Sequence, residues 1–238
     1  DARWPAWLID IGLWMYDGLS LFRNFKRHEM YSTRAIARMM DGFDTNNING
    51  GALYYDAQVD DARLTLETIR AAHRHGAVIA NYVQVDALLK DNGRIVGAQV
   101  HDVTTGAPIA MRAHSVVNAT GPWADTLLQL DEPHAPRRMR PNKGVHVMLP
   151  ADKLGCNNAV AFPSHRDGRL MFVIPWGAFT IVGTTETDYD SDYDHVHADA
   201  ADADYVVAAV NHAFPRTPIQ KSDILSAFAG LRPLVMQS

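Results

Sequence analysis

Ser115-Val116-Val117-Asn118-Ala119-Thr120-Gly121 is the stretch that decides how this chain is read. Adjacent β-branched residues favour an extended, half-buried backbone. The small residues after them end at a glycine, where the chain bends with no Cβ in the way. A strand that runs into such a turn lets a bulky cofactor come close to the main chain. Upstream, Asp60 or Asp61 can cap a helix whose Leu66, Ile69 and Ala72/His73 recur at helical spacing, and Gly76 stands where a left-handed residue stops it. Ala77-Val78-Ile79-Ala80 reads as a short apolar strand. A meander follows: Val83 to Lys90, a turn at Asp91-Asn92-Gly93, Arg94 to Asp102, and a turn at Thr104-Thr105-Gly106. A helix is expected from Trp123 to Leu130.

Further out, the second half is strand-rich, with runs at Gly144 to Leu149, Arg169 to Pro175, Phe179 to Gly183 and Ser222 to Gly230. One helix interrupts it, expected over Ala198 to Phe214 with Tyr205, Ala208/Ala209 and His212 on one face. The N-terminal run from Trp4 to Phe22 is the most hydrophobic, yet Asp10 and Asp17, seven apart, share a helical face within it. Two acids and two glycines argue against a membrane span, which needs about 20 apolar residues. Two readings remain: a helix packed on the rest of the protein, or an interfacial helix continued by Phe22-Arg23-Asn24-Phe25-Lys26-Arg27. Residues 41 to 59 read as loops and short strands. Helix, strand, meander, strand and a second mixed region predict an α/β or mixed α+β protein with two lobes.

The 238 residues are 47% hydrophobic and 21% charged, ample for a buried core and too apolar for a disordered chain. A net charge of −5 offers no basic footprint for nucleic acid. One cysteine, Cys156, excludes an internal disulfide framework and a cysteine-based zinc site. His195-Val196-His197, with Asp190, Asp192, Asp194 and Asp199 nearby, has ligand-type residues but lacks the central glycine and final glutamate of a calcium loop; it reads as a solvated acidic loop, and no metal is expected. Asp1 at one end and Leu231-Arg232-Pro233-Leu234-Val235-Met236-Gln237-Ser238 at the other read as interior sequence, so a fragment of a longer chain is expected.

Several blocks together carry a family resemblance. Gln58-Val59-Asp60-Asp61-Ala62-Arg63-Leu64, Asn118-Ala119-Thr120-Gly121-Pro122-Trp123, Lys143-Gly144-Val145-His146, Ile174-Pro175-Trp176, Gly183-Thr184-Thr185-Glu186-Thr187-Asp188 and Gly230-Leu231-Arg232-Pro233-Leu234 resemble, in order, FAD-dependent glycerol-3-phosphate dehydrogenase. The likeness runs from about Arg3 to Leu234. It implies an FAD-binding lobe of the amine-oxidase-like, two-dinucleotide flavoprotein type beside a mixed-sheet substrate lobe. Residues 58–130 would belong to the FAD-binding domain, 131–238 to the substrate-binding domain, and 1–57 to the substrate lobe. The implied reaction is oxidation of sn-glycerol 3-phosphate to dihydroxyacetone phosphate, with electrons passed to a quinone. A cytoplasmic enzyme, peripheral on the inner face of the cytoplasmic membrane and able to form a homodimer, is implied as well.

By the same resemblance His146 matches a substrate-site histidine, Thr184 a substrate-contacting threonine and Arg232 a substrate-site arginine. Arginine presents a planar fork of N–H groups to an oxyanion, and histidine is the commonest base near neutral pH. His146 is therefore expected to take or orient the hydroxyl proton at C2. Arg232 is expected to bind phosphate or stabilise the developing alkoxide, and Lys143 to add positive charge. Val83 and the turn Asn118, Ala119, Thr120 and Gly121 are the expected cofactor contacts. No G-x-G-x-x-G turn follows a strand anywhere in the 238 residues, and Gly50-Gly51 lacks the preceding strand and third glycine. The expectation is thus the central fragment of the enzyme. The alternatives are a non-catalytic fragment that binds a phosphorylated ligand or a partner, and a related flavin oxidase of another alcohol or amine.

Overall fold

The computed structural model describes residues 5–40, 42–46 and 48–236; Asp1, Arg3, Trp4, Asp41, Gln237 and Ser238, which enter the readings above, lie outside the described residues. In chain order the elements are α1 (Ala6–Leu19), β1 (Glu29–Tyr31), α2 (Thr33–Met39), β2 (Gly51–Leu53), α3 (Asp61–Arg74), β3 (Val83–Asp91), β4 (Arg94–Asp102), β5 (Pro108–Arg112), α4 (Ala124–Asp131), β6 (Met139–Pro150), β7 (Val160–Pro163), β8 (Leu170–Trp176), β9 (Phe179–Gly183), β10 (Thr187–Asp188), α5 (Ala200–Ala213) and β11 (Ser226–Val235). They form two compact units, one of residues up to Asp56 with Pro141–Arg232, the other of Ala57–Arg140 with the residues from Pro233 onward. The mixed helix-and-sheet class expected from the sequence is the class observed.

The first unit is built on a six-stranded sheet ordered β10-β6-β9-β8-β7, with β11 also paired to β6. Side chains alternate across a strand. Val145, Val147 and Leu149 of β6, Val182 of β9, Met171 and Val173 of β8, and Phe162 of β7 turn to one face and are buried there. Helix α5 covers them with Val206, Ala209, Val210 and Ala213, and Phe214 completes the cluster, edge-on to Phe43 and Phe162. Each buried valine, leucine, methionine or phenylalanine among them contributes about 1.5–3 kcal/mol. Of the residues expected on one face of α5, Ala209 is buried. Tyr205 is only partly buried and His212 is exposed, stacked on His165. The valines at 206 and 210 take the sheet because an alanine-rich helix is oriented by its few larger apolar side chains.

At the N-terminal end of this unit α1 is a helix, as read, but few of its residues are covered. Trp7, Ile11, Trp14, Met15 and Leu19 are exposed, Leu19 by 82%. Its buried residue is a charge, Asp17. The His28 ring, almost wholly buried, lies between Asp17 Oδ2 at 2.8 Å and Asp10 Oδ1 at 2.9 Å, and Asn24 donates to Asp17 Oδ1. The hydrogen bonds to Asp17 and Asp10 hold the His28 imidazole above its ordinary pKa, and the bond from His28 holds the Asp17 carboxyl below its own. Among the described residues no helix is long and apolar enough to cross a membrane.

The second unit is thinner. Strands β3, β4 and β5 form an antiparallel meander. Helix α3 starts where Asp60 accepts from the Arg63 amide, yet none of its residues is buried. Two sequence-based expectations are corrected here. Neither Ala77–Ala80 nor Ser115–Asn118 forms a strand. Among the described residues neither run has a ladder partner, and Val78 and Val117 are 94% and 83% exposed. β-propensity describes fit to a pleated, half-buried surface, and without a neighbouring strand it makes no strand.

Candidate functional site

Strand β6 builds the site by alternation: Asn142, Gly144 and His146 lie on the face opposite Lys143, Val145 and Val147. Over Gly144 runs the Arg232 side chain from β11. Its Nη1 donates to Asn142 Oδ1 at 3.0 Å and to the Thr185 carbonyl at 3.3 Å, and its Nη2 donates to Thr184 Oγ1 at 2.7 Å. Asn142 is buried, with Nδ2 at 3.5 Å from Asp188 Oδ1. A guanidinium has five N–H donors. With three engaged, Nε–H and one N–H of Nη2 take no partner among the described residues. The Thr184 hydroxyl donates in turn to the Thr185 carbonyl at 3.0 Å, so Thr184 holds Arg232 and keeps one lone pair for another donor. Gly144 is a requirement of this arrangement, because a Cβ there would sit 2.4–2.6 Å from the Arg232 guanidinium.

His146 follows two residues along the same face, about 7 Å on by strand geometry. It pairs directly with Gly183 of β9. A Cβ at Gly183 would fall 2.4 Å from His146 Cδ2 and 2.8 Å from Cγ. On the imidazole lies the Phe228 ring of β11, with centroids 5.2 Å apart and planes 12° from parallel. The structure therefore brings His146, Thr184 and Arg232 together on one face of one sheet. Asn142, Gly144, Gly183 and Phe228 complete the group and were not singled out from sequence. The glycines stand inside the recognised blocks, but their role exists only once β6, β9 and β11 are side by side.

Lys143 is not brought to this group. Its Nζ lies on the core side, 2.8 Å from Asp199 Oδ2 and 2.7 Å from Asp202 Oδ2. These carboxylates form the capping box at the start of α5. Burial pulls the Lys143 pKa down, but the two carboxylates outweigh it and the net shift is upward. The ammonium holds Asp199 down to about 2. The charge of Lys143 is thus matched inside the fold. His195 pairs with Asp192 at 2.7 Å in the exposed loop, and His197 Nδ1 faces the His195 carbonyl. Among the described residues no group of three or more His, Cys, Asp or Glu side chains is placed to hold a metal ion.

In the second unit the 118–121 turn is shaped by its own asparagine. Asn118 Nδ2 donates to the Ala124 carbonyl, and its Oδ1 accepts from the Thr120 amide and hydroxyl. Gly121 has φ +58°, and a Cβ there would meet nothing within 4 Å. Asn118, Ala119 and Thr120 are exposed, Gly121 is half-buried, and Val83 opens β3. Pre-shaped, open and almost free of bulky side chains, this turn fits the approach of a flat cofactor.

These features belong to an oxidoreductase fold of the flavoprotein type. The chain belongs to the FAD dependent oxidoreductase family, whose pattern matches residues 5–238. It is 38% identical over 232 residues to glycerol-3-phosphate dehydrogenase 2 of Mycobacterium bovis, covering 98% of this chain and 39% of that one. It is 41% identical over 189 residues to alpha-glycerophosphate oxidase of Streptococcus pyogenes, covering 78% of this chain and 31% of that one. Among solved structures, the glycerol-3-phosphate dehydrogenase of Bacillus halodurans complexed with FAD superposes with a TM-score of 0.81 at 36% identity, over 87% of this chain and 42% of that one. The chain thus spans about two fifths or less of the length of these relatives.

Proposed function

We propose that this chain supplies the substrate-binding residues, and part of the FAD-binding residues, of an enzyme that oxidises sn-glycerol 3-phosphate to dihydroxyacetone phosphate. The observation that carries this reading is the anchored Arg232, with two N–H donors to spare, on the same sheet face as His146. The unit containing β6 and β11 binds the substrate, and the unit containing the 118–121 turn contributes to the cofactor site. Asn118, Ala119, Thr120 and Gly121 would line the bound group, with Val83 at the start of its strand. FAD, when bound, supplies the hydride acceptor.

This chain's own residues do the rest. Arg232 holds the phosphate through its free N–H edge, a charge-assisted contact stronger than a neutral one. Asn142 and Thr184 fix the guanidinium plane so that the fork is preorganised. The neutral imidazole of His146 accepts the proton of the C2 hydroxyl while the C2 hydrogen leaves with its electron pair, giving the ketone. Lys143 acts on the site indirectly, by tying β6 to α5. The relatives' names, dehydrogenase and oxidase, support electron transfer onward, and a quinone is the acceptor proposed here.

A membrane surface is the proposed location, on the cytoplasmic side. Support comes from α1 and the segment after it, where exposed Trp7, Trp14, Phe22 and Phe25 are interleaved with Arg23, Lys26 and Arg27. That mixture of amphipathic aromatics and cations suits a lipid headgroup layer better than the apolar core of a homodimer. Binding to vesicles with and without anionic lipid, together with a mass measurement, separates the two.

The main proposal is tested by the visible spectrum of the purified chain after incubation with FAD and desalting. Retained flavin that bleaches on anaerobic addition of sn-glycerol 3-phosphate is the expected result. Retained flavin bleached only by another alcohol or an amine would overturn the substrate, and no retained flavin would show that the FAD-binding residues of this chain do not hold the cofactor unaided.

A further inference from the structure

We propose that Phe228 is a positioning residue for His146, setting the plane in which the imidazole meets the substrate hydroxyl; the inference rests on the reading of His146 as the proton-accepting group. The aromatic residues of this unit divide by task. Phe214 and Phe162 are 0% and 4% exposed and fill the core between sheet and helix. Phe228 is 48% exposed, on the sheet face that α5 does not cover, so core filling does not account for it. Its contact with His146 is an offset stack, 5.2 Å between centroids and 12° from parallel. The terminal torsion of a histidine is broad and roughly two-fold. Without neighbours against the ring, that torsion sweeps a wide arc.

Two neighbours narrow that arc. Gly183, directly across the ladder, leaves so little room that a Cβ would stand 2.4 Å from Cδ2 of the ring. Phe228 closes a ring face. Between them the imidazole is held on the sheet face that also carries Arg232. An aromatic ring performs this better than an aliphatic side chain, because a flat partner constrains orientation as well as position. Proton transfer depends steeply on such alignment, and a misplacement of about 1 Å can cost about 100-fold in rate.

The test uses F228L, which keeps an apolar side chain, and F228Y, which keeps the ring. In the full chain carrying isotope-labelled histidine, the His146 ring protons, assigned by their loss in H146Q, should stand upfield from the ring current of Phe228. They should move downfield in F228L and stay upfield in F228Y. In the FAD-loaded enzyme, F228L should lower kcat for sn-glycerol 3-phosphate by roughly 10- to 100-fold with KM changed less than about threefold. F228Y should restore most of the lost turnover. A His146 resonance indifferent to F228L would overturn the proposal, as would a loss confined to KM or one that F228Y does not rescue. Wild-type enzyme that shows the ring-current shift but does not oxidise glycerol 3-phosphate would refute the substrate reading and leave the stacking intact.

Discussion

Helices α3 and α5 are each fourteen residues long, and both begin at an aspartate whose side chain accepts a backbone amide. They differ in what lies against them. Helix α5 buries Val206, Ala209, Val210 and Ala213 on a sheet, while α3 buries nothing, leaving Leu66 and Ile69 open to solvent. Capping and periodicity make a helix locally, and a neighbouring element makes it part of a core. The contrast extends to the units that hold them. The 14-residue hydrophobic cluster belongs entirely to the unit with α5. The catalytic candidates sit on the reverse of that sheet, where packing behind β6 and β9 holds the strands in register.

The contrast can be broken first by truncation. Phe214→Ala should cost about 3–5 kcal/mol in urea unfolding, while Leu66→Ala on α3 should cost under about 1 kcal/mol. Comparable losses would show that α3 is packed after all. Next come the ion pairs. Lys143→Met leaves Asp202 buried without its partner and should cost about 3 kcal/mol. Lys90→Met, which removes a half-exposed pair with Asp131 in the other unit, should cost no more than about 1 kcal/mol. The Asp199 carboxyl, held down to about 2, stabilises the first unit above the ordinary carboxylate range and loses that contribution as pH falls.

Gly144→Ala sharpens the picture at the site. The clashing atoms are the far end of a flexible side chain, so the fold should survive while Arg232 is pushed from Asn142 and Thr184. Catalytic efficiency, read as kcat/KM of the FAD-loaded enzyme, should fall by about 100-fold with little change in melting temperature. The smallest effect concerns α1. With a raised pKa, His28 contributes fully below an unfolded histidine's value of about 6.5 and loses that contribution as pH rises through its folded value. With a lowered pKa, Asp17 contributes above about 4 and loses it in stronger acid. Hydrogen-exchange protection factors in residues 20–28 should therefore be greatest between about pH 4 and 6.5. Protection that rises steadily through neutral pH would refute the clamp.

Much of the fold was legible because its signals are local. Asp60 as a cap, the turn at Asp91-Asn92-Gly93, and the alternation of Val145, Val147 and Leu149 all announce their element within a few residues. The misses were non-local. Val78 and Val117 have strand chemistry but no partner strand, and β7, the edge strand at Val160–Pro163, is too short to stand out. At the site, sequence could single out His146, Thr184 and Arg232 by family likeness. It could not reveal that Lys143, one residue from Gly144, turns to the opposite face toward α5, nor that Phe228 meets His146 across 82 positions.

Gly144 and Gly183 carry a consequence for how this protein tolerates change. Neither contributes an atom that binds or reacts, yet each clears the volume that a neighbouring functional side chain occupies. In a saturation scan of every position, scored by activity, these two would rank beside His146 and Arg232. Scored by abundance, Gly144 should rank with the surface.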